Sequence, residues 1–158
     1  MASHHRKTEH IDVETHVSIL LASYRALTGR DLLPPDLQSK GQVQALFDAP
    51  FAVVSHDTAT DPIFNYGNLF ALDLFEMTWE EFTALPSRLS AEPVHRDERA
   101  RLLEEVSRKG FIDNYKGVRI ARSGKRFMIE NAVVWNLTDD SGDLAGQAAT
   151  FSAWTEIP

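Results

Sequence analysis

The chain of 158 residues contains no cysteine. That absence excludes disulfides, thiolate metal sites, cysteine nucleophiles and the cysteinyl adduct of flavin photochemistry, and it suits a cytoplasmic setting. Positive charge is also scarce, with 16 Lys and Arg against 23 Asp and Glu and a net charge of −7. Nucleic acid and anionic membranes both reward positive surface, so neither is expected as a partner. No run approaches the ~18 apolar residues of a membrane helix. The opening residues MASHHRKTEH have no apolar segment and are not read as a secretory signal. Residues 1–10 are expected to be a disordered polar tail. His4, His5 and His10 have no regularly spaced carboxylate beside them and are not expected to hold a metal. Phosphate-binding loops, dinucleotide fingerprints, HExxH and nucleophile elbows are all missing. The paired acids Asp139 and Asp140 lie in a turn, where Asp serves turn geometry. No catalytic residue is assigned, and the chain is not expected to be an enzyme.

What is present is organised around residues 117–151. Gly117 to Arg122, Arg126 to Leu137 and Leu144 to Phe151 each suit a strand, and the first two alternate apolar and polar residues. Ser123-Gly124 and Asp139-Asp140-Ser141-Gly142 are turn signals between them. Period-two runs broken by Gly, Asp and Ser predict an antiparallel meander. Upstream, Ile11 to Leu27 reads as a helix, with Val13, Val17, Leu20, Leu21, Tyr24 and Leu27 on one stripe and Gly29 as its stop. The stripe suits packing on the chain's own sheet or pairing with a second copy. For either role Val17, Leu20, Leu21 and Tyr24 carry it.

Pro34-Pro35 marks a connector, and Gln42 to Phe47 suits a short helix. Phe51 to Ser55 and Ile63 to Tyr66 are two short strands, with His56 in the loop between them. Asn68 can cap a buried helix, and Thr78-Trp79-Glu80-Glu81 is a capping box. Arg96 to Arg108 is a longer helix with Leu102, Leu103 and Val106 as its core face, Asp97 and Glu98 in its first turn, and Gly110 as its end. Nothing alternates as βαβ, so the two early strands must pair with the late meander. The expected fold is α+β: a five-stranded antiparallel sheet with helices packed on one face, plus an N-terminal helix. The expected organisation is a tail over 1–10, helix and connector over 11–40, and one domain over 41–158.

This order, with these residues, resembles a PAS domain. Ile63-Phe64-Asn65-Tyr66-Gly67-Asn68 is similar to its entry into the first helix, Trp79-Glu80-Glu81-Phe82 to its (S/T)xEEL segment, and Pro93-Val94-His95-Arg96-Asp97 to the opening of its long helix. Arg122-Ser123-Gly124-Lys125-Arg126-Phe127 is similar to RKDGxxF, and Asp140-Ser141-Gly142 to the DxxG turn. Within that superfamily the chain resembles the MEKHLA domain, through Gly117-Val118-Arg119, Ile129 to Asn136 and Gly146-Gln147-Ala148-Ala149-Thr150-Phe151. The resemblance covers about Val17 to Phe151; the string that names the family is absent.

Alternation places Phe127, Ile129, Asn131, Val133 and Trp135 on one face of their strand. Asn131 is then a lone amide in an apolar row, and a buried amide needs partners. It can bond the backbone of a helix packed on the sheet, or orient a flat ligand. With Tyr115 and Arg119, these five residues are the candidate pocket. Arg119 can pair with a ligand carboxylate or with Glu130 across the strands. The resemblance implies a space used in PAS domains for flavin, haem or small acids. Only His95 and His56 offer themselves as haem ligands, and neither placement favours haem; the cofactor is left unassigned. The resulting expectation is a stand-alone PAS-like sensory or ligand-binding module, acting through a homodimer or a partner protein. One alternative is an interaction module with a filled core and no ligand. The other is a small enzyme on an α+β cone, using Asn131, Glu130 or His95.

Overall fold

The computed structural model describes residues 12–158, without the side chains of 93–95. The expected tail, and with it His4, His5 and His10, lies outside the described residues, as does the side chain of His95. The elements run α1 (Val13–Thr28), α2 (Ser39–Phe47), β1 (Ala52–His56), β2 (Phe64–Gly67), α3 (Leu69–Phe75), α4 (Trp79–Phe82), α5 (Pro93–Lys109), β3 (Phe111–Ile120), β4 (Arg126–Thr138), β5 (Leu144–Phe151) and β6 (Ala153–Ile157). The sheet is antiparallel in the order β2-β1-β5-β4-β3. The short β6 continues β5 past Ser152 and pairs with the first half of β4. The five-stranded α+β sheet is therefore as expected, its fifth strand bent into two pieces.

Local chemistry fixes the ends of the elements. Asp12 caps α1 by accepting from the Glu14 amide, and Gly29 closes it in the left-handed region. Thr78 and Glu81 form the reciprocal capping box of α4. Asn68, fully buried, accepts from the Ala71 amide at the start of α3 and the Val53 amide, and donates to the Leu46 and Phe51 carbonyls. One amide side chain thereby satisfies four backbone groups from α2, β1 and α3. Asp139 accepts from the Ser141 and Asp143 amides, as turn geometry requires. The long helix starts at Pro93, three residues before the expected start, so Asp97 and Glu98 fall in its second turn.

β4 carries the departure that matters most. Opposite β3, Tyr115 pairs with Ala132 but Gly117 pairs with Ile129, so β4 holds one extra residue there. The bulge sits at Asn131, which has φ 54° and is exposed. Asn tolerates that left-handed conformation better than a branched residue does. Because side chains alternate with period two, one extra residue exchanges the two faces. Phe127 and Ile129 point inward before the bulge, and Ala132 and Val134 after it. Val133, Trp135 and Leu137 point outward. The single row expected for Phe127 through Trp135 is therefore split between the two faces, and Asn131 belongs to neither.

The outward face is covered by α1 and α2. Val17, Leu20 and Tyr24 pack on Val133, Trp135 and Leu137, with the Tyr24 and Trp135 rings edge to face at 4.9 Å. The helix stripe thus closes the chain's own core, and Leu21 sits half-buried at its margin. Helices flank both faces of the sheet, not one: a wide apolar face left by the bulge needs its own cover.

Candidate ligand-binding site

The inward face of the sheet and α5 frame a half-open cavity. Its aliphatic wall comes from Leu102 and Leu103 of α5, Val134 of β4 and Ala149 of β5. Leu102 and Val106 pack on Val134 and anchor the helix above it. The cavity contains about 60 Å³ of room for water centres.

Polar side chains enter this wall as well, among them His56, Arg99, Arg119 and Gln147. His56, Arg99 and Arg119 are each only 8% exposed. Arg99 reaches the cavity because it lies three and four residues before Leu102 and Leu103, on the same helix face. It makes no ion pair with any described residue. Burial, together with the nearby positive charge of Arg119, lowers its pKa to about 10. Arg119 donates to the Val118 carbonyl at 2.7 Å and to the Tyr115 hydroxyl oxygen at 3.2 Å. It does not reach Glu130 as the cross-strand expectation had it; its strand partner is Phe127.

Tyr115, Gly117 and Arg119 share the inward face of β3 at two-residue steps, which explains the order of residues. The Tyr115 ring lies back along the strand, with the Arg119 guanidinium 5.6 Å from its centroid. A Cβ on Gly117 would collide with the Tyr115 hydroxyl. Glycine there lets the ring lie flat and carry its hydroxyl to Arg119. The same hydroxyl donates to Glu98 Oε1 at 3.4 Å, an exposed carboxylate on α5.

His56 closes the other end. It ends β1 rather than lying in a loop, and its Nδ1 is 2.9 Å from the Asp57 carbonyl. A carbonyl only accepts, so Nδ1 carries the proton and Nε2 presents a lone pair. Nε2 is buried and has no partner among the described residues. Burial lowers the His56 pKa and holds the ring neutral.

Gln147 spans the cavity wall and the helix. Its amide nitrogen donates to the Leu103 carbonyl, the Ser107 hydroxyl and the Asn136 side-chain oxygen, each at 3.0 Å. Asn136 in turn donates to the Val106 carbonyl at 3.1 Å. The amide expected at position 131 to hold a helix onto the sheet is thus supplied at position 136. Gly146, with φ 140°, is required because a Cβ there would strike the His56 carbonyl.

Of the seven candidate pocket residues, Tyr115, Arg119 and Ile129 come together in the wall. Phe127 lies behind it against Phe75, ring centroids 5.3 Å apart. Val133 and Trp135 are on the opposite face, and Asn131 is on the surface. Sequence reasoning missed Arg99 and Gln147, and weighed His56 only as a loop residue that could ligate haem. Arg99 could have been found as the charged member of the Leu102–Leu103–Val106 stripe.

A bent antiparallel sheet with a cavity under one long helix is the PAS fold. A PAS domain from Colwellia psychrerythraea superposes with TM-score 0.62 at 15% identity, covering 75% of this chain and 95% of that one. A fungal LOV domain photoreceptor does so with TM-score 0.59 at 14% identity, covering 94% of each. Residues 14–156 match the MEKHLA domain, and the chain belongs to that family. It is similar to the homeobox-leucine zipper protein ATHB-9 of Arabidopsis thaliana, 28% identical over 151 residues, which are 90% of this chain and 18% of that protein. HOX32 of Oryza sativa is likewise 28% identical, over 85% of this chain and 16% of its own length. The chain spans less than a fifth of these relatives.

Proposed function

We propose that this MEKHLA domain is a non-enzymatic sensory module that binds a small molecule beneath α5 and reports occupancy through a dimer or a partner protein. The observation carrying this reading is Gln147, which lines the cavity and also ties α5 to the sheet. A ligand that competes for this amide alters the hold on the helix, so the cavity's contents become visible at the surface. The absence of catalysis is supported by the chemistry of the wall. The described lining residues include no carboxylate. The Ser55 hydroxyl is committed to His16 and Asn65 and that of Ser90 to the Ser87 carbonyl, leaving no hydroxyl poised beside His56. No described helix is long and apolar enough to cross a membrane, and we place the module in the cytoplasm.

The test is a native mass spectrum of the purified chain, with a visible absorption spectrum beside it, for the wild type and for Ala149→Leu, which fills the cavity. A small-molecule increment present in the first and lost in the second supports the reading. A chain that carries no increment, and whose unfolding temperature responds to no small molecule, overturns it. That outcome favours the interaction module, a reading supported by the small size of the cavity.

A further inference from the structure

Resting on that ligand-binding reading, we infer that the ligand is a small hydroxy-carboxylate: a carboxylate held between Arg99 and Arg119, with a hydroxyl given to His56 Nε2. The argument begins with charge. Two guanidiniums, each 8% exposed, face one cavity, and no carboxylate of a described residue is paired with either. A buried cation is kept only where something compensates it. Arg119 spends one donor on the Val118 carbonyl and one on the Tyr115 hydroxyl oxygen, which fixes the direction of its fork. Arg99 makes no hydrogen bond to a described residue and has its donors to give. Guanidiniums bind planar carboxylates through paired N–H···O bonds.

The lone pair of His56 Nε2 requires the opposite chemistry. Its ring is held in one tautomer by the Asp57 carbonyl, so Nε2 accepts and cannot donate. A bare carboxylate or sulfate brings no proton to satisfy it; a hydroxyl does. The apolar wall adds a third requirement. A three-carbon 2-hydroxy acid is among the smallest molecules that carry both polar groups, and Leu102, Leu103, Val134 and Ala149 form an aliphatic wall for its remaining carbon.

The probes are lactate, pyruvate, lactamide, glycerol and sulfate, titrated calorimetrically into the full chain and into Arg99→Gln and Arg99→Lys. Lactate is expected to bind the wild type, with pyruvate about tenfold weaker for want of the hydroxyl and lactamide undetected. Arg99→Gln is expected to weaken lactate at least a hundredfold. Arg99→Lys keeps the charge but loses the fork; it should weaken lactate about tenfold and reports on the same contact if the Gln variant misfolds. Equal lactate binding in the wild type and in whichever variants fold overturns the proposal. So does sulfate binding as well as lactate, which makes the site a plain oxyanion site. Binding of glycerol or lactamide alone overturns the anionic class but leaves the ligand-binding reading standing. If no probe binds and the purified chain carries no mass increment, both fall.

Discussion

The two faces of the sheet are built to opposite rules. The outward face, under α1, is aromatic and free of buried guanidiniums among the described residues: Trp135 is fully buried against Tyr24, Val17 and Leu20, and its orphaned polar atoms, Trp135 Nε1 and the Tyr66 hydroxyl, are neutral. The inward face, under α5, holds two guanidiniums that pair with no carboxylate of a described residue, an imidazole nitrogen without a partner among them, and a pocket. A protein selected only for stability would not leave unpaired charge under a helix, because desolvation penalises it. On the proposed reading one sheet separates its tasks: one face makes the fold, the other gives up stability for recognition. If this division is right, substitutions on the two faces differ in sign as well as size.

The largest effect is expected outside. Trp135→Ala empties the centre of the outward core and should cost about 3–5 kcal/mol in urea denaturation. A loss below about 1 kcal/mol would mean that α1 is not integral to the core, and the contrast between the faces would collapse.

Acid should also act on the outward face. His16 of α1 is held against Ser55 at 2.9 Å, and burial lowers its pKa to about 4. In the unfolded chain the same imidazole protonates near 6.5. Between these values the unfolded chain binds more protons than the folded one, so stability falls as pH drops from about 6.5 to about 4. The imidazole's contribution is complete above that window and gone below it. At 1.36 kcal/mol per pKa unit, the expected loss is up to about 3 kcal/mol. Much of this slope should vanish in His16→Gln, with His56 supplying what remains in the same direction. An unchanged slope would show that the carboxylates dominate and that α1 is not acid-sensitive through this residue.

Inside, the sign should reverse. Arg99→Met removes a desolvated cation that faces another cation and keeps the apolar stem. We expect the ligand-free chain to gain about 1 kcal/mol, read as a higher urea midpoint. Destabilisation by a similar amount would mean that Arg99 is compensated within the fold, and the inward face would lose its claim to be a binding surface.

How much of this was legible in the sequence follows from the range of each signal. Asn68, Thr78, Gly29 and Gly110 act within one turn, so their roles could be read directly and hold in the structure. The meander was legible because alternation and turn residues are also local. Tyr115, Arg119 and Ile129 were placed in the pocket wall through strand phase, which is sound until the phase slips. It slips at Asn131, and every assignment past that point changed face. The bulge depends on pairing with β3, where Tyr115 and Gly117 spread across three residues of β4 instead of two. No residue near Asn131 announces that. His56 and Gln147 likewise enter the cavity through strand pairing, and Arg99 through a helix stripe read only for its apolar members.

The smallest effect provides the sharpest test of that slip. If Asn131 were an inward amide bonding a helix, Asn131→Gly would leave buried partners unsatisfied and cost about 1–3 kcal/mol. As the exposed residue of a bulge with φ 54°, it should accept glycine at a change within about 0.5 kcal/mol, since glycine adopts that conformation freely. Asn131→Val should instead lose about 1–2 kcal/mol, because a branched side chain resists the left-handed region. The order Gly near Asn, both above Val, would establish that position 131 is held by backbone geometry. The reverse order, with the apolar Val tolerated and Gly costly, would restore an unbroken strand, return Val133 and Trp135 to the inward face, and dissolve the distinction between the two sides of the sheet.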